Sequence, residues 1–156
     1  MPLDNKWGEV IGRDKDNNRV YSINGQDEHN YVMFVDNVEM PIGTIYRKAS
    51  VPSNNFSNMK FNKIRIFNKE LDVTNKLTED IIKSLNQIKG SKITLKPQDV
   101  YAIDLISPDL KGIGYSINVY VYNNEFYFAG RGSDKCVKVS HNFTLWLKPI
   151  LENSKK

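Results

Sequence analysis

Apolar and polar positions change rhythm along the chain. Between residues 7 and 48, short apolar runs alternate with polar turns, and runs at 7–12, 19–23, 30–36 and 42–48 predict four strands. Their spacing of roughly 8–12 residues is that of a meander or small barrel. Asp14-Lys15-Asp16-Asn17-Asn18 turns the first pair, and Asn24-Gly25 opens the next connection. Residues 49–60 are rich in Ser and Asn and contain Pro52, so they predict a loop and the best place for a boundary.

After that loop, Ile64 and Ile66 alternate with Lys63 and Arg65, so residues 61–68 read as a half-buried strand. A helix follows over about 76–89. Leu77, Ile81, Leu85 and Ile88 recur at helical spacing and make one apolar stripe. Thr74 or Thr78 can cap it, Glu79 and Asp80 suit its first turn, and Gly90 stops it. Residues 93–95 and 100–107 predict strands divided by Pro97.

The strongest local pattern spans 115–131. Residues 115–122 alternate, Asn123-Asn124 can supply the two positive φ angles of a two-residue turn, and 125–131 continue as the returning strand. That turn pairs Tyr122 with Glu125, Val121 with Phe126, Tyr120 with Tyr127 and Val119 with Phe128. One face then holds Ile117, Val119, Val121, Phe126 and Phe128, which must be core. A strand over 135–139 and a helix over about 141–151 complete the chain. Ser140 caps that helix, Phe143, Trp146, Leu147 and Ile150 share its apolar face, and Pro149 is expected to kink or end it. Residues 153–156 read as a frayed tail.

These elements define an α+β fold: antiparallel hairpins and a meander, two helices packed on the sheet, and a β-rich N-terminal part. The 156 residues fit one domain, or two lobes at 1–50 and 61–152 sharing a core. Charge alters this picture little. Seven basic and eight acidic side chains precede residue 61, and fifteen and ten follow it, so the net +4 resides in the second part. The cations are interspersed with acids, whereas a nucleic-acid partner needs them clustered. No apolar stretch approaches the roughly 18 residues of a transmembrane segment. Met1-Pro2-Leu3-Asp4 lacks the basic and apolar regions of a signal peptide, which leaves two expectations: a native cytosolic start, or a mature domain whose leader has been removed.

Candidate chemistry is sparse. Cys136 is the only cysteine, so no internal disulfide or cysteine zinc cage can form, and its strand-like surroundings suit a small core residue. With His29 and His141 the only histidines, no metal or cofactor is expected. Asp14, Asp16 and Asn18 begin like a calcium loop, but Arg19 stands where the glycine belongs and Gly25 where the final glutamate belongs. Ser140 and His141 are neighbours that cannot face each other as nucleophile and base. Gly130-Arg131-Gly132-Ser133 suits a bulge or turn, with anion binding by backbone N–H groups the alternative. Among Asp99, Asp104, Asp109 and Glu125, no spacing selects a catalytic pair.

One surface stands out. The polar face of the 115–131 hairpin gathers Asn118, Tyr120, Tyr122, Tyr127 and Arg131, an aromatic platform with hydrogen-bonding edges suited to sugars, peptides or exposed bases, and so to a glycan or protein partner. The competing readings are a cross-strand tyrosine pair that only steadies the hairpin, or a helix lying over this face.

The order of features from residue 61 carries a resemblance. Ile64-Arg65-Ile66, Val73-Thr74 and the helix with Ile81 and Leu85 form one part. Tyr115-Ser116-Ile117, Val119-Tyr120, Phe126-Tyr127-Phe128 and Cys136-Val137-Lys138-Val139 before a last helix form the other. This resembles the mature domains of small secreted lipoproteins of unknown function in Gram-positive bacteria. It spans about 90 of the 156 residues, without a lipobox and with residues 1–60 additional. The resemblance implies a secreted or cell-envelope binding module and no catalytic residues. Two other expectations stand beside it: a cytosolic inhibitor of a partner protein, such as a toxin-immunity protein, and an enzyme whose site has no recognisable motif.

Overall fold

A computed structural model describes residues 7–35, 43–51, 60–130 and 134–154. The chain is α+β and divides into two units, Met1–Asn54 with Ile106–Tyr115, and Asn55–Leu105 with Ser116–Lys156.

The first unit is a four-stranded antiparallel meander of β1 (Trp7–Arg13), β2 (Arg19–Ile23), β3 (Tyr31–Val35) and β4 (Gly43–Arg47), in that order. Alternation along β3 turns Met33 and Val35 inward, where they meet Ile23 and Ile113. Trp7, Tyr21, Tyr31, Ile45 and Leu110 pack around them. Ile113 and Leu110 therefore finish the core of a meander that precedes them by some 60 residues of chain. The Asp14 turn is closed by its own acid. The Asp14 carboxylate accepts the N–H groups of Asp16 at 2.9 Å and Asn18 at 2.8 Å, and the Asn18 side-chain amide at 3.0 Å. The Asn18 amide, foremost among these bonds, holds the Asp14 pKa below its ordinary value. Gly25 has φ +90°, and a Cβ there would stand 2.9 Å from Lys111 Cβ, so only glycine fits without strain.

The second unit holds a seven-stranded sheet and both helices. In chain order it comprises β5 (Lys63–Ile66), β6 (Lys69–Asp72), α1 (Asn75–Gln87), β7 (Ile93–Thr94), β8 (Asp99–Ile106), β9 (Gly114–Tyr122), β10 (Glu125–Ala129), β11 (Lys135–Lys138) and α2 (His141–Asn153). The ends of β8 and β9 run into the first unit. The sheet order is β6-β5-β8-β9-β10-β11-β7.

Three expectations need correction. Residues 61–68 hold the expected strand as β5, but it ends at Ile66: the chain turns at Phe67 and Asn68, with φ 50° and 60°, and a second strand, β6, returns antiparallel to it. Phenylalanine seldom adopts positive φ, so no local residue signal marks this turn. Here the Phe67 ring stands edge-on to Tyr101, with centroids 5.8 Å apart. Nor does Pro149 end the last helix, which continues to Asn153. The missing N–H leaves one carbonyl without its helical partner, that of Leu145, whose side chain is exposed. Phe143, Leu147 and Leu151, buried at successive turns, hold the helix together across the break.

The helix starts follow the sequence. Thr74 Oγ1 accepts the N–H of Leu77 at 3.3 Å, and Ser140 Oγ accepts that of Phe143 at 3.2 Å. Because α1 begins at Asn75, Glu79 and Asp80 fall beyond its first turn. A 3-10 turn, Ile88–Gly90, finishes it.

Candidate functional site

The hairpin register decides which side chains reach the two sides of the large sheet. Asn123 and Asn124 have φ 50° and 61°, the geometry of a two-residue turn that matches strand twist. Tyr122 faces Glu125, Val121 faces Phe126, Tyr120 faces Tyr127, Val119 faces Phe128 and Asn118 faces Ala129. Ile117, Val119, Phe126 and Phe128 are buried, as expected, and Val121 is half-buried. Phe128 meets Phe143 of α2 with ring centroids 4.7 Å apart, and α1 contacts α2, β10 and β11. Both helices therefore cover this one side.

Period-2 alternation sends Asn118, Tyr120, Tyr122 and Tyr127 to the other side, where each is half-buried. Tyr120 and Tyr127 are direct cross-strand partners, and Tyr122 stands opposite Glu125. Arg131, the fifth residue of the expected platform, lies outside the described residues.

The structure adds two groups to this face. Tyr127 Oη donates to Glu125 Oε2 at 2.8 Å, and Lys138 Nζ donates to Glu125 Oε1. Lys138 arrives because β11 pairs it with Tyr127. The bond from Lys138, then that from Tyr127, holds the Glu125 pKa below its ordinary value. Donation to a carboxylate pushes the Tyr127 phenol upward in turn. The result is a phenol fixed in direction by a carboxylate that an ammonium anchors. Glu125 was legible as a turn-flanking acid, but its link to Lys138 depends on a third strand.

Farther along the same face, Asp104 is clamped. Arg65 donates to Asp104 Oδ2 from Nε at 3.1 Å and Nη2 at 2.8 Å, and Ser116 Oγ donates to Oδ1. The Arg65 and Asp104 side chains are 10% and 13% exposed. Both Asp104 oxygens are thus occupied by hydrogen bonds. Elsewhere, Cys136 is buried, its Sγ 3.6 Å from Ile93 O, and burial pushes its thiol pKa up. His141 is exposed at the first residue of α2. Among the described residues no three His, Cys, Asp or Glu side chains converge as metal ligands, and no helix is long and apolar enough to cross a membrane.

No protein-family model, curated protein or solved structure matches the chain.

Proposed function

We propose that the chain is a non-enzymatic binding module of the secreted or cell-envelope kind, which holds a glycan against the tyrosine side of its large sheet. The observation that carries this reading is the pairing of half-buried Tyr120 and Tyr127 on the side away from both helices. Tyrosine rings offer flat apolar area with a polar edge, and their two side-chain torsions leave little entropy to lose on binding. The bond from Tyr127 to Glu125 fixes one such edge before a ligand arrives. The order of features from residue 61 onward, similar to that of small secreted lipoproteins, favours the location.

The test is titration of the 15N-labelled chain with chitohexaose, cellohexaose and xylohexaose, followed by backbone amide shifts. At least one glycan is expected to shift residues 118–122 and 125–129 together. Tyr127→Ala should weaken that binding about fivefold, the loss of one aromatic contact. Shifts confined to other parts of the chain, or none with any of the three, would overturn the reading.

A further inference from the structure

The helix-covered side of the large sheet carries a second feature, at the end where the β9–β10 hairpin turns. A cleft of about 610 Å³ opens there between the sheet and the last turns of α2. Its apolar surface comes from Tyr101, Val121, Phe126 and Leu151. Phe126 and Leu151 are buried, while Tyr101 and Val121 are half-buried. Its charged lining comes from Asp99 on β8 and from Lys148 and Glu152 on α2. This volume lies within the range of small-ligand sites, roughly 300–1,000 Å³.

The charges select the ligand. Lys148 and Glu152 are four residues apart on one helix, the spacing at which such residues commonly pair, yet they form no ion pair. Among the described residues Asp99 forms none either, so neither carboxylate is matched by a cation in an ion pair. Among the lining side chains, two carboxylates outweigh one ammonium. The aromatic rings of Tyr101 and Phe126 supply an apolar wall against which a cation can also rest.

We infer that this cleft binds a small organic cation: a primary ammonium on an apolar body, its charge between Asp99 and Glu152 and its body against Tyr101, Phe126 and Leu151. The site is independent of the tyrosine side of the sheet and does not rest on the glycan reading.

Phenethylammonium is the probe, with phenethyl alcohol as its neutral counterpart, each titrated into the 15N-labelled full chain. Phenethylammonium is expected to shift the amides of Asp99, Asn124, Phe126 and Glu152 and to saturate at roughly millimolar concentration, as suits so few heavy atoms. The alcohol should bind at least about threefold more weakly. A variant carrying Asp99→Asn and Glu152→Gln should lose that preference with its thermal midpoint unchanged, since both side chains are exposed. Tyr127→Ala should keep it, which separates this site from the glycan surface. Equal affinity for amine and alcohol, shifts centred away from the cleft, or a preference that survives the double substitution would overturn the assignment.

Discussion

Arg65 and Asp104 show how one side-chain pair can matter to stability in a chain of ordinary charge content. Both are nearly enclosed, and the acid is saturated by the guanidinium and the Ser116 hydroxyl. A pair this secluded differs from the Lys63–Glu70 bridge, whose side chains are 40% and 45% exposed and contribute little. Removing the guanidinium would leave a carboxylate with too little water and one hydroxyl. Arg65→Ala should therefore cost about 3 kcal/mol, read from urea unfolding followed by tryptophan fluorescence. A loss below about 0.5 kcal/mol would place the pair with surface bridges. The acid could be named from the sequence, but its partner could not. The two residues are 39 positions apart, and nothing local to either says that β5 and β8 are neighbours. For the same reason Glu125 was legible as an isolated acid and its anchor Lys138 was not.

At the scale of elements, what could be read was whatever a few adjacent residues determine. Asn123-Asn124 specifies both the turn and the facing of nine β9 residues, so the tyrosine side followed from the sequence. Asparagine matters there because it tolerates positive φ better than other residues with a Cβ. Asn123→Val should lower stability by about 1 kcal/mol, while Asn123→Gly should stay within a few tenths, measured by thermal melts of the two variants. Equal melting of the two would mean that the turn is not under this constraint. The β5–β6 hairpin has the same backbone geometry with Phe67 in the corresponding place, where no residue type signals a turn. Its stability comes in part from the edge-on contact with Tyr101, of order 0.5–1.5 kcal/mol, a tertiary contribution that offsets the local cost. Pro149 teaches the same lesson: burial of Phe143, Leu147 and Leu151 outweighs one absent hydrogen bond.

Across the whole molecule, the two units are not consecutive. The meander is built from Met1–Asn54 but takes Leu110 and Ile113 from the stretch between β8 and β9. Composition suggested a boundary in residues 49–60, and only the structure reveals that the chain returns across it. A polypeptide ending at Asn54 should lack the narrow, dispersed amide spectrum of a folded sheet, since four strands without those side chains leave Met33 and Val35 uncovered. A well-dispersed spectrum from that fragment would show that the meander is self-sufficient. The interleaving also orders events in time. Translation proceeds at about 5–20 residues per second, so roughly 3–13 s separate synthesis of β4 from that of Ile113. Of the two units, the one whose strands are made earlier is consequently the one that must wait, a nascent sheet exposed to chaperones and proteases until the ribosome has delivered its last two pieces.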